Sequence, residues 1–338
     1  MKSIHPNMSK AFILKNRPQG RPVIADFEEV ELPVPQLEQG QLLVAAQFIS
    51  VDPYMRGRMS DQKSYVPPFE LGQPITGGVV GKIVDSKVPE FQPGDMVVGM
   101  LKWQDIQVVW ANEVQKIDPQ LAPPSYYLGL LGMTGLTAYF GLTRIGKPKP
   151  AETLVVSGAG GAVGMVAGQL GKILGCNVIG IAGHKSKLNF LKEDLGFDAA
   201  IDYHDLDKMD QELQKAAPLG VDIYFDNVGG VVSDHVLKYI NHGARIIICG
   251  QIALYNDLDK AIGPYPQLQL LKNSAMMKGF IVSDFKDSFH DGMLELLKWY
   301  KDGLLKGPET IVKGFDKLPA TFISLFDGSN TGKLIVEV

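Results

Sequence analysis

The chain has 338 residues, 45% of them hydrophobic and 21% charged, with a formal net charge of −4. A single hydrophobic core stops growing at about 250–300 residues, so two domains are expected. The small negative charge gives no broad attraction to nucleic acid or anionic membranes, and neither is expected as a partner.

Two cysteines, Cys176 and Cys249, allow at most one disulfide and fit a reducing, cytoplasmic setting. The stretch Met1–Pro6 carries no apolar region of a secretory signal. From Thr153 to Gly171 there are 19 residues without a charge, a length that could be mistaken for a membrane span. Six of them are glycines, which points to a buried strand, turn and helix instead.

In chain order, residues 10–50 alternate in the β manner, as in Gln41–Ser50, with Pro33 and Pro35 as punctuation. Val51–Arg58 and Tyr65–Phe69 form a tyrosine- and proline-rich loop region, too irregular for a strand, of a kind that often carries binding groups. Ile75–Met100 reads as short apolar strands broken by Gly77-Gly78, Gly81 and Pro93-Gly94-Asp95. The first domain is therefore mainly β up to about Pro124. Ser125–Leu142, with Leu128, Leu131, Leu136 and Tyr139, suits a helix crossing into the second domain.

The second domain alternates strand and helix. The spacing predicts a strand from Thr153, helix 162–174, strand Asn177–Ala182, helix Ser186–Leu195, strand Ala199–Asp202 and helix 209–216. Strand Val221–Asp226, helix 231–240 and strand Arg245–Gly250 follow. This period implies a doubly wound parallel sheet with right-handed crossovers, the Rossmann arrangement. Met277–Val282 extends the sheet and Asp291–Tyr300 is a helix. Gly332–Val338 is a last strand, placed after the α/β block and so expected to return to the first domain. The boundaries are 1–124 with 296–338 for the mainly β domain and 125–295 for the dinucleotide domain.

The glycine-rich turn after Thr153 aligns with a dinucleotide fingerprint as Ala159-x-Gly161-x-x-Gly164. Its glycines serve a sharp turn, close approach to a pyrophosphate and tight helix packing, and the helix N-terminus favours negative charge. An acidic residue that would bind a ribose 2′-hydroxyl is missing: Gly183 stands at the end of the second strand. His184, Lys185 and Lys187 open the next helix, so a 2′-phosphate is expected and NADPH is preferred over NADH. Lys185 reads as a solvated residue, and Lys187 is the phosphate ligand.

The segments Asp52–Gly57, Gly132–Tyr139, Gly161–Gly164, Phe225–Gly230 and Cys249–Asn256 together resemble a known family. It is that of the zinc-independent medium-chain dehydrogenases/reductases, in the group of prostaglandin reductases, leukotriene B4 dehydrogenases and 2-alkenal and curcumin reductases. The resemblance spans nearly the whole chain. It implies a GroES-like catalytic domain beside the Rossmann domain, a cleft between them, and NADPH-dependent reduction of the C=C bond of α,β-unsaturated carbonyls, commonly by a homodimer.

Carried over by position, it places cofactor contacts at Gly161, Ala162, Val163 and Gly164, with Lys187 and Tyr203 near the adenosine phosphate and Asn227 after the fourth strand. Cys249, Gly250, Gln251, Ile252 and Tyr255 follow, with Phe280, Ile281 and Val282 near the nicotinamide, Thr134 near its amide, and Asn330 in the closing segment. Ser157–Gly160 departs from the family's alanine-rich version, which alters loop packing rather than cofactor choice.

No zinc site is expected. The first domain has no cysteine, and the six histidines show no H-x-x-x-H spacing. Without metal, hydride addition to an enone needs a donor for the oxygen that becomes an enolate, and a tyrosine with a pKa near ~10 stays protonated at neutral pH. Tyr265 is the first candidate as donor or relay, with Tyr65 and Tyr54 as substrate-positioning hydroxyls; ribose hydroxyl and water are rival proton sources. Arg56 either steers an acidic substrate tail or makes a structural ion pair. Quinone reduction and non-catalytic NADPH sensing are the alternative functions.

Overall fold

Gln41–Ser50, buried or half-buried at every position, forms a ten-residue strand, and the mainly β half of the computed structural model is laid down around it. The structure describes residues 7–257 and 262–338. The readings of Met1–Pro6 and of His5 lie outside the described residues.

In the first half, β1 (Met8–Leu14) and β2 (Phe27–Pro33) form a two-stranded antiparallel sheet. β3 (Gln41–Ser50) is followed by a short helix α1 (Tyr54–Arg58), then β4 (Thr76–Ser86), β5 (Met96–Lys102), β6 (Ile106–Trp110) and β7 (Val114–Ile117).

The second half contains α2 (Met133–Phe140), β8 (Thr153–Ser157), α3 (Ala162–Ile173), β9 (Asn177–Ala182), α4 (Lys185–Glu193), β10 (Ala199–Asp202) and α5 (Leu206–Ala216). β11 (Val221–Asp226), α6 (Gly230–Val236), β12 (Ile240–Ile248), α7 (Gln267–Lys272), β13 (Met276–Gly279) and α8 (Phe289–Lys301) complete it. The chain ends with β14 (Glu309–Lys313), α9 (Leu318–Ser324) and β15 (Lys333–Glu337).

These elements fall into two units: the chain up to Leu128 with Thr310–Asp327 and Leu334–Val338, and Gly129–Glu309 with Gly328–Lys333. In the first unit the sheet order is β14-β15-β3-β4-β5-β7, with β6 also on β3. The final strand pairs antiparallel with β3, Ile335 opposite Ser50, so the tail does return to the first half. Phe27, Trp103 and Phe322 pack edge and face at the centre of its core.

In the second unit a six-stranded parallel sheet runs β10-β9-β8-β11-β12-β13. β8, first in sequence, sits centrally, and the order reverses between β8 and β11. In open α/β sheets that switch point, at the carboxyl ends of the strands, is where ligands bind.

Several boundaries differ from the sequence reading. The predicted helix Ser125–Leu142 is interrupted: a 3-10 turn covers Pro124–Leu128, Gly132 is extended, and α2 starts at Met133 before a π-helical turn over Gly141–Gly146. The interruption lets Gly135 lie against the Leu130 carbonyl, where a Cβ would come within 1.8 Å of the oxygen.

The glycines of Ile75–Met100 do not break its strand, for β4 runs through Gly77, Gly78 and Gly81. They admit neighbours instead: a Cβ on Gly77 would lie 2.4 Å from Met55 Cε and one on Gly81 2.4 Å from Val44 Cγ1. Tyr54–Arg58 is helical rather than loop, and Val282 begins a 3-10 segment instead of ending a strand. Among the described residues no helix is long and apolar enough to cross a membrane.

Candidate active site

The second unit's site begins where β8 gives way to the glycine turn. Gly158 takes a left-handed φ of 58°, and Gly161 caps α3 with extended backbone and no side chain over the first-turn N–H groups. Ala162, Val163 and Gly164 form that first turn. A Cβ on Gly164 would sit 2.4 Å from the Gly158 oxygen, so glycine is required for the turn to close on the helix. Segment 328–333 straps the turn: Gly332 N–H donates to Gly160 O at 2.8 Å, and Asn330 Nδ2 braces Gly332 O at 2.9 Å.

Lys187 is 7% exposed and lies along the turn, its Cδ 2.8 Å from where a Gly160 Cβ would stand. Its Nζ donates to Gly328 O at 2.7 Å, and among the described residues no carboxylate pairs with it. Burial pulls its pKa below the usual lysine value. A buried cation without a counter-charge suits an anionic ligand. Gly183 has a further steric reason to be glycine: a Cβ there would meet the Tyr203 hydroxyl at 2.7 Å and the His204 ring at 2.8 Å. Tyr203 stacks on His204 at 4.6 Å, and His204 is tied to Asp202.

Across the switch point the organiser is Asp226, 1% exposed at the end of β11. Its carboxylate accepts from Ser157 Oγ (2.9 Å), Tyr224 OH (2.9 Å), Ser233 Oγ (2.5 Å), Val228 N (3.0 Å), Gly229 N (2.9 Å) and Gln251 Nε2 (3.2 Å). Its carbonyl accepts from Cys249 N and Gly250 N at 2.8 and 3.1 Å. Asn227 is fixed by Ser157, with Nδ2 on its carbonyl at 2.8 Å. The carboxyl ends of β8, β11 and β12 are thus locked to one another.

Gln251 N–H donates to the half-buried Tyr255 hydroxyl at 3.3 Å, and Ile252 starts a 3-10 turn. Burial pushes the Cys249 thiol up to about 12, so it stays protonated near neutral pH.

Other predicted residues sit on neighbouring elements. Thr134 is buried in α2 and donates to Gly129 O at 3.0 Å. Phe280 follows β13 and packs on Gly141 and, at 6.2 Å, on Phe285. Ile281 N–H is held by Asp284 at 3.1 Å, ahead of Val282. Tyr265 is 86% exposed in the segment before α7.

In the first unit Tyr54 stands at the start of α1 and is half-buried, whereas Tyr65 is 59% exposed. Burial, then Asp52, pushes the Tyr54 hydroxyl well above the usual tyrosine range, while Arg58 opposes them through charge and a hydrogen bond. Asp52 is buried and accepts from Ser50 Oγ. Arg56 is buried too, and donates to Pro18 O (3.4 Å) and Gly20 O (2.8 Å), so it braces a loop and does not reach out to steer a substrate.

A family model described as the N-terminal domain of oxidoreductase matches residues 10–117, and one described as zinc-binding dehydrogenase matches residues 162–299. The chain is 42% identical to an NADPH-dependent curcumin reductase of Escherichia coli (strain K12), over 98% of this chain and 97% of that protein. The chain belongs to the medium-chain dehydrogenase/reductase family.

As such it is also 38% identical to a 2-alkenal reductase (NADP(+)-dependent) of Nicotiana tabacum, over 98% and 97% of the two chains. Its structure matches CurA of Vibrio vulnificus, solved in complex with NADPH, with a TM-score of 0.93 and 40% identity over 97% and 99%. This medium-chain reductase holds, among its described residues, no group of three His, Cys, Asp or Glu side chains that could bind a metal, despite the zinc in the second description.

Sequence reasoning missed Asp226, Ser157, Ser233 and Arg58. Asp226 stands inside the segment Phe225–Gly230, but a carboxylate's role as acceptor hub is visible once three strand ends converge on it. The donor set fits a dinucleotide in three respects: the glycine turn carries no side chain that would hold a pyrophosphate off its backbone, the first turn of α3 has no side-chain cap, and a buried cation stands beside it.

Proposed function

We propose that this chain reduces the C=C bond of α,β-unsaturated aldehydes and ketones with NADPH. One observation carries the reading: enzymes named for NADP-dependent reduction of 2-alkenals and of curcumin align with almost its full length. The cofactor half is supported by Lys187, a buried ammonium beside the glycine turn in a chain that has glycine where a ribose-binding acid would stand.

NADPH, when bound, supplies the hydride. Gly161–Gly164 and the α3 N-terminus take its pyrophosphate, Lys187 and Tyr203 the 2′-phosphate, and Asn330 and the 328–333 strap hold the turn. Asn227, Cys249, Gly250, Gln251, Ile252 and Tyr255 line the nicotinamide side, with Thr134, Phe280, Ile281 and Val282. As charge moves to the substrate oxygen, a neutral hydroxyl must meet it. Burial keeps Tyr54 protonated far above neutral pH, which supports it as that donor. Tyr65 positions the substrate, and Tyr265, exposed to solvent, relays protons from water.

A cytoplasmic setting and a homodimer complete the reading. The cysteine content supports the first. β13 ends the described sheet order, and such an edge suits pairing with a second copy.

The test follows NADPH absorbance with 2-alkenals, enones and quinones, and identifies the product. Turnover of alkenals to saturated aldehydes is expected; turnover confined to quinones, or none, overturns the proposal. Lys187→Ala should weaken NADPH by about 1.5–3 kcal/mol, the worth of a hydrogen bond to a charged group, and leave NADH nearly unchanged. Equal loss for both cofactors would remove Lys187 from the phosphate site.

A further inference from the structure

We propose that the second unit carries a binding site for a small diphosphate-bearing molecule, separate from the cofactor turn, in a recess lined by Arg144, Lys147, Lys149, Arg245 and Lys278. The proposal depends neither on the alkene chemistry nor on the choice of NADPH.

The recess has a volume of about 400 Å³, within the size range of small-molecule sites. Three stretches of chain wall it: residues 144–149, at the end of the π-helical turn and just after it, β12 at Gly243 and Arg245, and β13 at Met276 and Lys278. Parallel pairing sets Arg245 beside Met276 and Ile247 beside Lys278, so alternate residues of the two strands share one face. A Cβ on Gly146 would lie 2.9 Å from Ile247 Cδ1, which seats the turn on that same face.

Arg245 builds the frame. Its Nε donates to Gly146 O at 2.9 Å and Nη2 to Lys147 O at 3.4 Å, while Nη1 and Nη2 hold Glu152 at 3.0 and 2.5 Å. Glu152 in turn accepts from the Lys149 backbone N–H at 2.9 Å. The turn is thereby pinned, although Lys147 takes a left-handed φ of 46° that L side chains rarely adopt.

The charge of the recess is left unmatched. Among the described residues Arg245 is the one lining cation with a carboxylate at ion-pair distance, and Arg144, Lys147, Lys149 and Lys278 have none. Elsewhere surface lysines are matched, as Lys10 is with Glu29, Lys116 with Asp95 and Lys172 with Asp198. Five cations against one carboxylate leave an excess of four, in a chain whose net charge is −4. Like charges around one recess repel with little screening inside about 8 Å, and a bound anion relieves that repulsion. A phosphate ester carries about −1.5 to −2 charges at neutral pH, so two such groups match the excess and one does not. Arg144 offers a planar fork for phosphate oxygens, and the lysines offer point charges. Met276, 42% exposed, adds an apolar wall for the rest of the molecule.

Lys149 precedes β8 and the glycine turn follows it, so the strand, about 17 Å long at ~3.3 Å per residue, lies between the two sites. Both can be filled at once.

Isothermal calorimetry on the full chain carrying one equivalent of NADPH tests this, with ADP and inorganic pyrophosphate as probes. One probe molecule per chain is expected. Tighter ADP marks an organic diphosphate seated against Met276, and equal or tighter pyrophosphate an inorganic one; either supports the site. Lys147→Gly, which keeps the left-handed backbone, and Lys278→Ala should each weaken the probe about two- to fivefold, the worth of an exposed ion pair. Together with Lys149→Ala they should weaken it roughly tenfold or more, with NADPH affinity unchanged. Lys187→Ala should leave probe binding as it is.

Three results overturn the proposal: neither probe binds; binding responds to Lys187→Ala and not to the recess variants, which puts the anion in the cofactor turn; or it responds to Lys147→Gly and not to Lys278→Ala, which leaves it on the 144–149 turn alone. If the chain takes up no NADPH, the cofactor reading fails, and the same titrations on the free chain still decide the recess. Should the triple variant not fold, the two single changes decide.

Discussion

A carboxylate with almost no solvent exposure is costly unless its acceptors are filled, and Asp226 fills them with three hydroxyls, two backbone N–H groups and one amide. Asp226→Asn keeps the shape but turns an acceptor into a donor facing donors. Each buried donor left unmet costs about 1–3 kcal/mol, so a loss of roughly 2–4 kcal/mol is expected by urea unfolding. A loss below about 1 kcal/mol would mean that the donors find other partners.

Lys187 was legible in the sequence because a missing acid and an added cation reinforce one another. Arg58 was not: in Asp52-Pro-Tyr-Met-Arg-Gly-Arg58 two arginines look alike, and only folding decides which is buried on carbonyls and which stacks on Phe69. Gly183 was legible for the wrong share of its reason, since its neighbours Tyr203 and His204 need the space as much as a phosphate does.

Elements buried on both faces were the most readable. β9 and β11 have the bounds read for them, because parallel strands between helices bury nearly continuous apolar stretches, and the half-buried edge strand β10 keeps its bounds beside them. Glycine was harder to read, since it marks either a break or a close approach. At Gly132 it breaks; in β4 it admits Met55 and Val44.

The same ambiguity in the turn before α3 gives a paired prediction. A Cβ on Gly161 would have the Gly158 oxygen at 3.3 Å as its nearest neighbour, whereas one on Gly164 meets it at 2.4 Å. Gly161→Ala should therefore leave the melting temperature near wild type yet weaken NADPH, because the second fingerprint glycine is where the backbone approaches the pyrophosphate. Gly164→Ala should destabilise by about 1–3 kcal/mol, as overpacking does. Thermal melts with NADPH fluorescence titrations check both. Wild-type NADPH affinity in Gly161→Ala would place the close approach elsewhere.

At the scale of the molecule, the chain passes between the two units after Leu128, Glu309, Asp327 and Lys333. Neither unit is a continuous segment with one linker. The strap 328–333, hydrogen-bonded to Gly160 and Lys187, runs directly into β15, whose Ile335 and Val336 are fully buried in the first unit's sheet. Ordering the turn around a cofactor therefore orders the residues that lead into that sheet, and the two units should unfold together.

Ile335→Ala removes a buried branched side chain and should cost about 2–4 kcal/mol. NADPH at one hundred times its Kd adds about 2.7 kcal/mol to a state that binds it, and under coupled unfolding this offsets most of the loss. The expected urea profile is one transition, shifted down by Ile335→Ala and back up by NADPH. Two transitions, with NADPH moving one and Ile335→Ala the other, would show that the crossings do not couple the units.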